Sequence, residues 1–109
     1  MKPSPIGYWR IVAMEQWDQE FIDLVAPGHL RFERGGRGAL EFGCVAASLD
    51  WRPEERTHRI EFSFSGFDEG DEVTGHGWAK VEGGAMAGRI LFHLGDESEF
   101  TATKQRPPS

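Results

Sequence analysis

The strongest constraint on this chain is a period of two. Apolar and polar side chains alternate in short runs, and glycine-rich breaks separate the runs. His29-Leu30-Arg31-Phe32-Glu33-Arg34 alternates, Gly35-Gly36-Arg37-Gly38 turns the chain, and Ala39-Leu40-Glu41-Phe42-Gly43-Cys44-Val45-Ala46 resumes the alternation. A period of two belongs to a strand with one buried face. Breaks this short force consecutive strands to lie antiparallel, because a parallel crossover needs a dozen or more residues.

The same pattern recurs along the chain. Tyr8 to Met14 follows a Pro/Gly breaker and is rich in strand formers. His58 to Ser65 places Ile60, Phe62 and Phe64 on one face, with Arg59, Glu61 and Ser63 on the other. An acidic loop over 66–73 leads to a strand over 74–82, the turn Gly83-Gly84, a strand over 87–94, the loop Gly95-Asp96-Glu97 and a strand over 98–104. Gly43, Gly75, Gly77 and Gly88 fall inside these strands, where they permit the coiling that closure of a barrel needs. From Glu15 to Val25 the period changes. Trp17, Phe21, Ile22 and Val25 follow a helical spacing that ends at Pro27-Gly28, which predicts two to three turns of helix. Pro53 predicts a strand end and an exposed loop over 50–56. The expected fold is mainly β, a small antiparallel meander barrel of six to eight strands with one short helix after the first. It forms one domain over 1–109, with 1–6 and 105–109 as flexible ends. An open curved sheet or a two-sheet sandwich is the rival architecture.

Composition narrows the functions. The 109 residues carry 18 acidic against 12 basic side chains, a net charge of −6 with no basic run, which argues against nucleic acid as a partner. No apolar stretch approaches 18 residues, so no membrane-spanning helix is expected. The N-terminal residues lack the apolar core of a secretory signal. The single Cys44 shares a strand face with Leu40 and Phe42, which suggests a small buried hydrophobe and a cytoplasmic location. His29, His58, His76 and His93 show no zinc-ligand spacing. The Gly35 run lacks the Lys and Ser/Thr of a phosphate loop, and no Gly-x-Ser-x-Gly elbow occurs. No cofactor and no catalytic constellation are expected.

Gly7-Tyr8-Trp9 at the start of the first strand resembles the Gly-x-Trp signature of the lipocalins and wider calycin barrels. The resemblance implies that Trp9 packs across one end of a barrel beneath a basic side chain from the last strand, Lys104 or Arg106. The stretches Trp9 to Met14, Gly77-Trp78-Ala79 and Phe92-His93-Leu94-Gly95-Asp96 also resemble a family of small soluble bacterial proteins, which implies no particular activity.

Three groups of residues are candidates for function. Arg59 and Glu61, then His76, Trp78 and Lys80, then Arg89 and His93, lie on the polar faces of three successive strands. If those faces look inward, they line a polar lumen. Arg59 and Arg89 would then fork a carboxylate, Trp78 would stack on the ligand, and His76 or His93 with Glu61 would serve acid–base chemistry. If they look outward, Ile60, Phe62, Phe64, Ile90, Phe92 and Leu94 fill the interior, and Glu61 pairs across strands with Arg89 or Lys80. The second group is acidic. Asp68 to Glu72 and Asp96 to Glu99 hold seven of the eighteen carboxylates and should share one end of a meander, with Asp68, Asp71 and Asp96 as weak metal candidates. Trp17 and Trp51, beside irregular segments, form the third group, as anchors for a partner or as plugs of the barrel ends. The leading expectation is a non-catalytic binding module for a small apolar ligand or a protein partner. An enzyme with a polar lumen and a structural homodimer that pairs through an open edge are the alternatives.

Overall fold

The computed structural model describes residues 4–107. Eight strands follow one another around a closed barrel: β1 (Gly7–Met14), β2 (His29–Glu33), β3 (Arg37–Phe42), β4 (Val45–Glu54), β5 (Arg59–Asp68), β6 (Asp71–Glu82), β7 (Ala85–Phe92) and β8 (Glu97–Gln105). Each is antiparallel to the next, and β8 closes on β1 with Trp9 opposite Lys104. Closure gives every strand two neighbours, and of β4 only the end over 52–54 lacks a partner on its β3 side.

Strand alternation decides the interior. Trp9, Ile11, Leu30, Phe32, Leu40, Phe42, Phe62, Phe64, Ile90 and Phe100 are buried in one apolar core, while Glu61, Ser63 and His76 are exposed. Eight strands enclose little more than their own side chains, so large rings need space from their neighbours. Four inward phenylalanines find it opposite glycine: Phe32 at Gly38, Phe62 at Gly77, Phe64 at Gly75 and Phe100 at Gly88. A Cβ at Gly77 would lie 2.6 Å from Phe62 Cζ and collide with the Arg89 carbonyl. Gly75, Gly77 and Gly88 are inside strands as the sequence suggests, whereas Gly38, expected in the turn, pairs within β3; all four make room for rings.

Several sequence expectations are corrected. The run 39–46 is two strands, because Gly43 adopts a left-handed φ of 57° beneath the Phe21 ring and turns the chain. Cys44 therefore sits in a turn rather than the core, and its thiol donates to Glu69 Oε1 at 3.3 Å. That hydrogen bond, followed by desolvation, raises the Cys44 pKa. The expected acidic loop over 66–73 is mostly strand. Only Glu69 and Gly70, both at positive φ, separate β5 from β6, as a tight hairpin turn requires. β4 continues through Pro53 to Glu54. This is tolerated because β3 stops pairing at Asp50, so Pro53 has a ladder partner only on β5. Leu94, expected inside, lies past the end of β7 and is 95% exposed. Pro5 and Ile6 are half-buried and Gln105 pairs with Tyr8, whereas 1–3 and 108–109 lie outside the described residues.

The expected helix shrinks to one turn, α1 (Gln19–Ile22). Asp18 caps it by accepting from the Phe21 amide at 3.0 Å. Only Ile22 of this turn is fully buried, and Val25 is exposed, so the apolar face is too short to support more turns. Asp23 instead ties the segment to β1. It receives Arg10 at 2.6 Å, the Gln19 amide at 2.9 Å and the Gly28 backbone N–H at 2.9 Å. The Arg10 contact is the main cause that lowers the Asp23 pKa from 3.8 to about 2. A carboxyl depressed in the folded state stabilises above its unfolded pKa and loses that contribution as pH falls through its folded one. Asp23→Asn should therefore be less stable than the parent from pH 5 to 7, with the gap closing between pH 4 and about 2. Urea melts across this range check it, and a gap independent of pH would contradict the assignment.

Candidate functional site

The meander gives the barrel two unlike ends. The β1–β2, β3–β4, β5–β6 and β7–β8 connections gather at one, which is the α1 end. There Trp17 packs on Phe21, Phe42 and Phe92 at centroid distances of 5.9, 5.2 and 6.3 Å and plugs the barrel. At the other end the start of β1, the end of β8 and the β2–β3, β4–β5 and β6–β7 turns surround a mouth. Part of the mouth is filled. Trp9 is fully buried with its indole N–H on the Pro5 carbonyl at 2.8 Å, and Lys104 Nζ lies 5.8 Å from its ring. Gly7 makes room for that lysine, since a Cβ there would lie 2.8 Å from Lys104 Cε. Trp51 closes the side next to β2 and β3, donating to the Glu33 and Arg37 carbonyls at 3.0 and 2.9 Å with its ring edge-on to Phe32.

The β4–β5–β6 side of the mouth stays open as a cavity of about 750 Å³. Its walls are Pro5, Pro53, Ile60, Ala79 and Val81. The cavity exists because the inward series of β6 is small throughout: Gly75, Gly77, Ala79, Val81. Deeper in the barrel, rings from β5 cover the two glycines. Ile60 covers Ala79, and no ring from β5 covers Val81, which is only partly buried. Arg59 and Lys80, one position past the Ile60–Ala79 pair, stand on the rim with Glu54, Glu55, His58 and Glu82.

Charge is divided between the two ends. Residues 15–28, 66–74 and 93–99, at or next to the α1 end, hold eleven of the eighteen carboxylates and no Lys or Arg. Residues 31–37, 52–59, 80–86 and 104–106, at the mouth end, hold nine of the twelve Lys and Arg against four carboxylates. An overall acidic chain thus carries a basic end. On the outer surface below the rim the Arg59 guanidinium lies over the Trp78 ring, 3.9 Å from its centroid, and its Nε is shut off from solvent without a hydrogen-bond partner. A buried donor left unpaired costs about 1–3 kcal/mol. Arg59 and Lys80 take part in none of the ion pairs among the described residues. Glu54, opposite Arg59, turns its carboxylate to the Arg56 and Thr57 amides and the Thr57 hydroxyl, and these bonds lower its pKa.

The polar strand faces look outward, so the polar lumen does not form. Arg52, Glu61, Trp78, Arg89 and Glu99 make one row across five strands on the outer surface. Trp78 stands between Glu61 and Arg89, which separates the expected pair. Arg89 bonds Glu97 at 3.2 Å and Glu99 at 2.9 Å instead and is not free to fork a ligand carboxylate. His76 and Glu61 share a shallow outer groove of about 230 Å³ that does not include His93, which lies in the β7–β8 turn. Trp17 and Trp51 are half-buried plugs rather than exposed anchors. The acidic turns do share the α1 end. Among the described residues no three His, Cys, Asp or Glu side chains, Asp68, Asp71 and Asp96 included, converge as metal ligands. Sequence reasoning passed over Pro53, Ile60, Ala79 and Val81 as a site. The signal was there in the small inward residues at the end of β6, but it depended on knowing that β4 runs on through Pro53.

Fold and site together describe a small closed antiparallel barrel, plugged at its acidic end and open to an apolar cavity at its basic end. Comparison with family models, with characterised proteins and with solved structures finds no match. No helix is long and apolar enough to cross a membrane.

Proposed function

We propose that this protein is a non-catalytic binding module that holds a small apolar molecule in the mouth between β4, β5 and β6. The observation that carries the reading is the cavity of about 750 Å³ with Pro53, Ile60, Ala79 and Val81 as its walls. Small-molecule sites usually occupy about 300–1,000 Å³, with mostly apolar linings and a few polar groups at the edge. The outward direction of Glu61 and His76 speaks against the enzyme alternative. Trp9 beneath Lys104, with Gly7 making room, supports a calycin-like reading of the barrel. The free thiol of Cys44 fits a reducing, cytoplasmic setting.

A neutral phenylnaphthylamine dye, which brightens in apolar surroundings, tests the reading. The parent protein should bind it, and Val81→Trp, which fills the mouth, should weaken binding tenfold or more without lowering the thermal midpoint. Binding unchanged by Val81→Trp would overturn the assignment.

A second reading, docking of a protein partner, is favoured by the α1 end. Leu24, Val25, Phe67 and Leu94 are exposed there among carboxylates, and Leu94 is held at a left-handed φ of 56°. Exposed apolar groups gathered at one end suit a contact surface. The surrounding negative charge selects a partner with a basic face and opposes packing of two α1 ends against each other.

A further inference from the structure

We propose that the mouth end of the barrel docks on an anionic lipid surface, which sets the cavity opening against the membrane. The docking stands on the charge of this end alone. Its use, the passage of an apolar molecule between bilayer and cavity, rests on the proposed binding function. Outside the cavity lining, exposed cations stand on three sides of the mouth. Arg34 and Arg37 lie at the β2–β3 turn, Arg56 lies in the β4–β5 turn, and Lys104 and Arg106 flank the end of β8. None of the five pairs with a carboxylate among the described residues. The carboxylates at this end do not cancel them. Glu33 is held by Arg31 at 3.1 Å, and Glu54 is committed to its own turn by three hydrogen bonds. Glu55 and Glu82 belong to the lining, where Arg59 and Lys80 offset them.

Magnitudes favour attraction. Each basic residue near an anionic membrane raises partitioning about fivefold, so five at one end are enough for reversible docking. The large exposed apolar side chains among the described residues lie elsewhere, at Val12, Leu24, Val25, Phe67 and Leu94, so the contact is electrostatic and inserts no anchor. The net charge of −6 opposes docking only where it is felt, and its excess sits at the α1 end. β6 spans twelve residues and, even tilted, holds the two ends about 30 Å apart, several screening lengths at physiological salt. A barrel approaching the membrane therefore turns its mouth toward it. The cations stand on turns around an opening, an arrangement that meets a plane. They form no run that would track a nucleic-acid strand.

Flotation with vesicles of phosphatidylcholine, alone or with about 30% phosphatidylserine, in about 0.1 M salt tests the docking. The parent protein should bind the anionic vesicles at least about tenfold more tightly than the neutral ones, and should lose most of that binding at about 0.5 M salt. Arg34→Gln/Arg56→Gln/Arg106→Gln should weaken it by about tenfold or more while the neutral dye still enters the cavity. Asp71→Asn/Glu72→Gln, which removes two charges from the α1 end, should change it by less than about threefold. Equal partition onto both vesicles, indifference to salt, or a triple variant that docks like the parent overturns the proposal. Duplex DNA that strips the parent from the vesicles at equal phosphate concentration assigns the face to nucleic acid and also overturns it. A protein that docks without taking up the dye keeps the membrane face and loses the container. One that takes up the dye and never docks keeps the container and loses the membrane face. Thermal melts of each variant separate lost docking from lost folding.

Discussion

Trp9→Ala should lower the stability of the barrel by about 3–5 kcal/mol, which for a domain of this size is a fall in Tm of roughly 15–30 °C. Trp9 is fully buried at the mouth end of the core, and its indole N–H is the donor to the Pro5 carbonyl. Truncation removes the ring from the packing around Leu30 on the neighbouring strand and strands the carbonyl it satisfied. It also takes away the surface beneath Lys104. Trp9→Phe separates these contributions. It keeps an aromatic ring in the core and loses the indole hydrogen bond, for which a cost of about 1–2 kcal/mol is expected. Lys104→Met keeps an apolar stem and removes the charge, and should cost no more than about 1 kcal/mol. Denaturant unfolding of the three variants checks the order. A Trp9→Ala protein as stable as the parent would mean that this residue does not close the barrel.

The second large effect is expected from a gain of atoms. Gly77→Val should cost well over the 1–3 kcal/mol typical of an overpacked core, and is expected to leave little folded protein at 37 °C. The first added carbon already meets two obstacles, the Phe62 ring and the Arg89 backbone carbonyl on β7. The ring has rotamers available to it. The carbonyl belongs to a paired strand and can move only with the strand. Gly77→Ala combined with Phe62→Leu should therefore recover the ring's share of the penalty and not the carbonyl's. Ser65→Ala, on the outward face of β5, is the control and should change stability by less than about 0.5 kcal/mol. Equal effects of Gly77→Ala with Phe62 present or absent would show that ring and glycine do not compete for the same space.

Those two residues also show how far the sequence is legible. The alternation Ile60-Glu61-Phe62-Ser63-Phe64 fixes which side chains of β5 face inward, since a half-buried strand tolerates no other arrangement. Short turns then dictate the meander, and the meander dictates that the two acidic turns share an end. Where the reading fails, one residue has two possible meanings. Gly43 looks like another glycine inside a strand, but it is the turn that makes Ala39 to Ala46 two strands and moves Cys44 out of the core. Pro53 looks like a terminator, yet a proline is harmless where a strand has lost one neighbour, and that is a fact about β3 rather than about Pro53. Val25 and Leu94 carry the right apolar character for a helix face and a strand face, but tertiary contacts did not extend far enough to bury them.

The candidate site was less legible than the fold for the same reason. Arg59 was visible as a cation on a polar face, and Trp78 as an aromatic on the next. That they stack on each other outside the barrel follows from register, with Trp78 opposite Glu61 and Arg59 two residues away. The cavity itself is a property of what is missing from the inward face. Val81, at the end of the small inward series of β6, stands where no ring fills the barrel as Phe62 and Phe64 do lower down. Small residues announce themselves only when the rings around them have been placed.

The central claim is that the basic mouth, and not the acidic α1 end, is the binding end of this barrel. Amide chemical-shift mapping during a titration with the neutral dye tests it most directly. The account predicts that saturable shifts cluster at Ile60, Ala79 and Val81, with the Leu24, Val25, Phe67 and Leu94 amides unmoved. Shifts confined to the α1 end, or saturable binding that leaves Ile60 and Ala79 untouched, would contradict it.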